Sequence, residues 1–269
     1  MKKVIFTAVF ALFATQAFAI FGVGAHYAMN TGSLKSSKEP VYTLNVDTEV
    51  GSKSASVDFE QKSADVLQGL GVKAWIDVIP FIDIEGTFNI TATRYKVSLD
   101  LPYLEGTEIA RKSIDLSYTP DAPLNLAFGD VDPFYALFSG DLSVTYPFTS
   151  LPVPFVRPYV GIGLSYIFSL PVINASFTKK MIDKDLVEKL AGSEGDQTKI
   201  ADDIVDKLVD ALKDENYKGG FGGHVIAGFR IKPPVIPFAI YANTKYYFGG
   251  ETGPFKQGVV LEAGGGFAL

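Results

Sequence analysis

Between residues 155 and 168 the chain alternates without a break. Val156, Pro158, Val160, Ile162, Leu164, Tyr166 and Phe168 form one row, and Phe155, Arg157, Tyr159, Gly161, Gly163 and Ser165 form the other. In a β-strand these rows point to opposite faces. The first is apolar and ends in aromatics; the second is small, polar or charged. A strand on a water-soluble protein hides its apolar row and wets its polar one. An unbroken apolar row opposite glycines and an arginine suits a strand with lipid on one side and a narrow lumen on the other.

The same pattern recurs. In 20–30, Phe21, Val23, Ala25, Tyr27 and Met29 alternate with Gly22, Gly24, His26 and Ala28. In 69–79, Leu70, Val72, Ala74, Ile76 and Val78 oppose Gly69, Gly71, Lys73, Trp75 and Asp77. In 81–93, Ile82, Ile84, Phe88 and Ile90 oppose Asp83, Glu85, Thr87, Asn89 and Thr91. Stretches 134–146, 220–231, 238–248 and 258–269 repeat it, with Asp141, Arg230, Lys245 and Glu262 on the inward rows. With 155–168 they predict an all-β fold: a closed antiparallel transmembrane barrel of eight strands. Weaker alternation at 41–50 with 54–60, and at 95–101 with 110–118, predicts hairpins within loops. Counted as barrel strands instead, they would raise the total to ten to twelve.

Proline has no ladder donor and belongs in turns or at strand ends. Val78-Ile79-Pro80-Phe81, Val153-Pro154-Phe155 and Val235-Ile236-Pro237-Phe238 each precede a rising strand. These short turns alternate with long polar stretches at about 31–63, 95–133 and 169–218. Outer-membrane barrels show that asymmetry, with short turns in the periplasm and long loops outside. Both termini are then periplasmic. In the third loop Ile200, Ile204, Leu208 and Leu212 recur at helical spacing, with Ile182, Leu186 and Leu190 before them. They predict a small helical segment. Its polar face is too acidic for a membrane-surface helix.

Composition sharpens this picture. Lys2 and Lys3, the apolar run to Ala14 and Ala17-Phe18-Ala19 read as a secretory signal peptide over 1–19, leaving 20–269 as the barrel. No other run is long enough for a membrane helix, so entry into a membrane requires a closed sheet. The chain has no cysteine, which removes thiol catalysis and thiolate metal sites. Its formal charge of −6 gives no support to nucleic-acid binding.

The predicted inward rows gather Lys73, Asp77, Asp83, Glu85, Asp141, Arg157, Arg230, Lys245 and Glu262. An eight-stranded barrel leaves an interior just wide enough for side chains, and buried charges must pair. A polar network that fills the lumen is therefore favoured over a gated ion path. His26 and His224 point inward but carry no ligand spacing, so they read as lumen residues rather than a metal or acid–base pair. No nucleophile motif, phosphate loop or metal signature stands out, and neither an enzyme nor a cofactor is predicted. The inward glycines read as clearance, so Gly163→Ser should be mild where Ile162→Lys is damaging.

The signal peptide, the run Arg157-Pro158-Tyr159-Val160-Gly161-Ile162-Gly163 and the C-terminal strand together resemble the small outer-membrane barrels of the OmpA/OmpX type. Barrels of that kind commonly end in glycine, two residues, then alternating apolar positions. Gly264, Phe267 and Leu269 match that assembly signal, with leucine where phenylalanine is commoner and Ala263 where a polar residue is usual. The resemblance implies outer-membrane lipid as surroundings and an outer-membrane assembly machinery that reads the last strand. The expected function is an integral outer-membrane barrel with a structural or surface-interaction role. Two rivals are a narrow pore for ions or small solutes and a soluble lipocalin-like carrier, which would turn its apolar rows inward.

Overall fold

The computed structural model describes residues 21–48, 51–79, 82–105, 108–116, 132–148, 155–181, 218–233, 236–250, 253 and 255–268. The strands, in chain order, are β1 (Phe21–Leu34), β2 (Ser37–Thr48), β3 (Gly51–Gln61), β4 (Ala64–Ile79), β5 (Ile82–Arg94), β6 (Val97–Glu105) and β7 (Glu108–Asp115). After them come β8 (Phe134–Pro147), β9 (Val156–Ser169), the helix α1 (Ala175–Met181), β10 (Lys218–Ile231), β11 (Phe238–Gly249), β12 (Phe255–Lys256) and β13 (Val259–Ala268). The predicted signal peptide and the predicted helices over 182–212 lie outside the described residues.

Eight of these strands form a closed antiparallel barrel in the order β1-β13-β11-β10-β9-β8-β5-β4. Strand β1 closes it. On one side it pairs with β13 from Gly22↔Ala268 to Asn30↔Val260, and on the other with β4 from Phe21↔Ile76 to Leu34↔Ala64. Closure leaves no barrel edge with unpaired backbone groups. The strand ends that the short connections join lie at the same end of the barrel as Phe21 and Ala268, and the other end is capped.

The alternating rows fall on the faces their residues predict. Leu70, Ile162 and Leu164 are 67–70% exposed and Phe221 is 82% exposed, whereas Lys73, Glu85 and Glu262 are at most 2% exposed. Aromatic residues edge the outer belt at both ends. At the capped end Phe138 stacks on Phe168 at 4.6 Å and Tyr166 meets Phe221 at 4.9 Å. At the terminal end Tyr146 meets Phe148 at 5.6 Å and Phe238 meets Phe267 at 6.2 Å. Phe155 departs from the predicted inward row, because it lies in the turn before β9 and is exposed.

The hairpins predicted inside two loops are present, but they are not extra barrel strands. They join into a second, four-stranded sheet, β2-β3-β6-β7. The joint is β3 on β6, from Asp58↔Asp100 to Gln61↔Val97. Helix α1, at the start of the third long connection, packs against β2 and β3. Strands β1 and β4 also run further than their sequence rows, to Leu34 and from Ala64, because their ladder continues up to this sheet. The register slips between Asn30 and Ser33, and Val66 takes a φ of 59° beside the slip. A β-bulge of this kind re-aims its strand. Here it leaves both Ala64 and Leu67 buried, although they differ in parity.

Candidate functional site

The lumen is built from the inward rows, in three tiers. Nearest the termini, Arg157 bridges Asp77 at 2.9 Å and Asp83 at 3.4 Å. Arg230 bridges Asp77 at 3.0 Å and Asp83 at 3.5 Å, and it donates to Glu85. Its guanidinium lies 4.7 Å from the centre of the Trp75 ring, which is fully buried.

At mid-height Glu262 is the hub. Lys245 lies 2.8 Å from it and Lys73 lies 3.8 Å away. Amide donors from Asn243 and Asn89 reach its two oxygens at 2.7 and 2.8 Å. Lys73 also donates to Glu85 at 3.0 Å and to Asn243 at 2.9 Å, and it sits 4.9 Å from the Tyr241 ring centre. Nearer the cap, Lys245 and the Tyr247 hydroxyl both donate to Asp141 at 2.8 Å. Four cations thus meet five carboxylates, and neutral donors from Tyr247, Asn89 and Asn243 offset the excess negative charge. Buried charges this dense are tolerable because every one is paired and hydrogen-bonded.

The two histidines are held apart in separate polar sets. Asn89 uses its amide nitrogen on Glu262, so its oxygen faces His26, and the Nε2–H of His26 donates to it at 2.6 Å. The other nitrogen of His26 lies 3.1 Å from the Tyr241 hydroxyl. His224 meets Ser143 at 2.8 Å and Ser165 at 2.7 Å. Both ring nitrogens of each histidine have side-chain partners, so neither ring turns to the other. The glycines around them are contact surfaces, not spare clearance. A Cβ on Gly163 would run into the His224 ring and the Leu142 carbonyl, and one on Gly264 would run into Ala25 and His26. Gly163→Ser is therefore a disruptive change, contrary to the expectation from the sequence.

Above the ionic tiers the lumen turns apolar. Leu34, Leu67, Tyr135, Leu137, Ile167 and Val260 from the barrel rim pack into one buried cluster with residues of the cap sheet. From that sheet come Val41, Val57, Phe59, Val97, Leu99 and Leu101. Tyr135 stacks on Phe255 of β12 at 5.4 Å, and the Tyr95 hydroxyl accepts the Ile173 amide at 3.1 Å. Between this seal and the ionic tiers lies a cavity of about 10 Å³, bordered by Asn30, Asn89, Ser139 and Tyr247. That is room for roughly one water.

The outer face of the cap sheet is charged. Asp58 and Asp100 face each other across β3 and β6, a destabilising arrangement by itself. Arg111 of β7 answers Asp58 at 2.6 Å, and Lys38 of β2 answers Asp100 at 2.7 Å. Its bond to Asp100 raises Lys38 above the ordinary lysine value, and the same bond holds Asp100 below the usual carboxylate range.

All nine residues that the inward rows gather, Lys73, Asp77, Asp83, Glu85, Asp141, Arg157, Arg230, Lys245 and Glu262, meet in this one network. Of the predicted assembly signal, Gly264 presses on His26, Phe267 stands out from the barrel at 66% exposure, and Leu269 lies outside the described residues. Asn243, Tyr247 and Trp75 were not singled out beforehand. Their only signal was inward parity, which they share with the charges.

The fold and lumen define an eight-stranded barrel with an apolar exterior and an ionic interior, the architecture of the small OmpA/OmpX-type barrels it resembles in sequence pattern. Among solved structures it aligns with OprG, an outer membrane protein of Pseudomonas aeruginosa, at 10% identity over 93% of this chain and 95% of that one, with a TM-score of 0.44. It aligns with Neisserial surface protein A at 14% identity over 93% and 97%, TM-score 0.39. Ail, the attachment invasion locus protein of Yersinia pestis, solved with the heparin analogue sucrose octasulfate, aligns at 10% identity over 93% and 97%, TM-score 0.39. No family model matches the chain, and neither does any curated protein.

Proposed function

We propose that this chain is an integral barrel of the outer membrane with a structural or surface-interaction role, its lumen serving as a filled core and its cap as the exposed face. One arrangement carries this reading: an apolar belt, edged by aromatics at both ends, encloses a lumen occupied by its own ion pairs and closed by the cap. Only lipid makes such a belt favourable on the outside of a sheet. The stretch from Phe21 to Met29 matches the roughly 9–11 residues that a tilted strand needs to cross a bilayer. The short connections and termini face the periplasm and the cap faces outward. The assembly machinery reads Gly264, Phe267 and Leu269 in the closing strand. The role is non-catalytic, since the lumen's titratable groups are taken up by one another.

The rivals fit less well. A narrow pore needs a path past Lys245 and Glu262 and then through the apolar seal. A lipocalin-like carrier needs an apolar interior, and this one is ionic. The test is planar-bilayer conductance of the refolded full chain, on material that runs heat-modifiably on a detergent gel. The proposed role gives no steady current above the bare bilayer. A stable current would favour the pore, and recovery of the untagged protein from the soluble periplasm would remove the membrane reading altogether.

A further inference from the structure

The belt is anchored differently on its two flanks at the capped end. Strands β8 to β11 carry aromatics there: Phe134, Phe138, Tyr166, Phe168, Phe221 and Phe248. The flank made by β12, β1, β4 and β5 carries exposed cations instead: Lys256, Lys35, Lys62, Arg94 and Lys96. They form one continuous arc. Lys256 pairs in register with Ser33, two residues from Lys35. The Lys35 carbonyl accepts the Gln61 side chain, next to Lys62, at 2.8 Å. The Lys62 amide donates to the Lys96 carbonyl at 2.9 Å, two residues beyond Arg94. Among the described residues no carboxylate is ion-paired with any of the five, and Asp65 is the exposed acid at the same level.

Beginning four to eight residues further down the same strands from the arc, on the lipid-facing side of β13, β1, β4 and β5, the outer surface is hollowed into an apolar groove of about 510 Å³. Small residues make the depression at Ala25 and Ala263, and Tyr27, Leu70, Val72 and Phe88 wall it. At the level between groove and arc, the Tyr27 hydroxyl donates to Gln68 at 2.8 Å on the outer face. The same strands therefore stack an acyl-sized groove, a polar step and an arc of cations, in the order of a lipid's chain, glycerol or sugar, and phosphate.

We propose that this flank is a binding site for an anionic, phosphate-bearing lipid of the leaflet at the capped end, with one chain in the groove and the phosphate on Lys35, Lys62, Arg94 and Lys96. The site rests on the membrane reading above. Cations at the edge of a bilayer attract anionic headgroups additively. The groove supplies the shape that a diffuse charged belt lacks, so the lipid is retained and not merely enriched.

The experiment uses the refolded full chain in neutral detergent and native mass spectrometry. The probes are a doubly phosphorylated lipid A and the same lipid with its phosphates removed. The expected result is one phosphorylated lipid retained per chain. Retention falls at least about tenfold for the dephosphorylated lipid and for the variant K35Q/K62Q/R94Q/K96Q, the scale set by removing several cations from an anionic surface. Ala25→Trp, which fills the groove and leaves the arc intact, also loses the lipid. Heat-modifiable mobility of each variant shows that the barrel itself is formed, so loss of retention reports the site. Equal retention of both lipids, equal retention by the four-residue variant, or displacement of the lipid by millimolar inorganic phosphate would overturn the proposal. Failure of the wild type to form a heat-modifiable barrel would instead remove the membrane reading on which it stands.

Discussion

The barrel and the cap are made by successive strands of opposite polarity. Following β5 into β6 shows it most directly. Below the boundary the inward row is Asp83, Glu85, Thr87, Asn89 and Thr91; above it the same parity becomes Tyr95, Val97, Leu99 and Leu101, all buried. The outward row changes in the reverse sense, from Ile84, Phe88 and Ile90 to Arg94, Lys96 and Asp100. Strand geometry is the same on both sides of the switch, so the difference lies in what surrounds the sheet. In lipid, apolar side chains outside cost nothing and ions must pair inside. In water the apolar side chains gain from burial and the ions from solvation. On the proposed membrane reading, the switch between Thr91 and Tyr95 marks where the bilayer ends.

Substitutions in the two regions should fail in different ways. The largest expected effect is in the lumen. Lys245→Met leaves Asp141 and Glu262 without their shared cation, and removing one partner of a buried pair costs about 3–5 kcal/mol. Urea unfolding of the barrel in lipid vesicles reads this directly; an unchanged midpoint would mean that the lumen is wet enough to screen its charges. In the cap, Leu99→Ala opens a hole in the seal and costs about 2–5 kcal/mol locally. It should expose the β2–β3 and β6–β7 hairpins to protease while the barrel stays heat-modifiable. Loss of both together would show that cap and barrel fold as one unit.

On the belt, Ile162→Lys places a charge in the lipid-facing row, at about 2–4 kcal/mol. Refolding yield into vesicles should fall, and an undiminished yield would mean that Ile162 does not face lipid. The smallest effect is on the outer face of the cap. Arg111→Gln removes an exposed pair with Asp58, of the class that contributes about 0–1 kcal/mol. Acid should act there too. Asp100 is held below its usual range, so its stabilising bond to Lys38 is complete above about pH 4 and is lost as pH falls through the folded value. Protease resistance of the cap should therefore decline only in that acidic window.

Much of the barrel was legible because lipid on one side and ions on the other give each strand a long, clean alternation, as in Val156 to Phe168. The nine lumen charges could be placed because inward parity names them. The hairpins were legible as hairpins but not as a lid. Their apolar row is short, Val57 and Phe59 on β3 and Val97 and Leu99 on β6, and it reads as a weak strand until the two are paired. That pairing joins residues from separate loops, and nothing local encodes it. Nor did the sequence reveal that Gly163 and Gly71 border imidazole rings, since a glycine's neighbours across a sheet follow from register. The histidines' partners, Asn89, Tyr241, Ser143 and Ser165, were hidden for the same reason.

The chain's lack of cysteine makes the inversion of polarity between barrel and cap simple to probe. Single cysteines at Ile90 and Lys96, both outward and on either side of the switch, should be compared in the bilayer-embedded protein with a membrane-impermeant maleimide. Lys96→Cys should label rapidly and Ile90→Cys essentially not at all. Equal labelling at the two positions would place the boundary elsewhere and contradict the reading of β5 and β6 as one strand path that crosses from lipid into water.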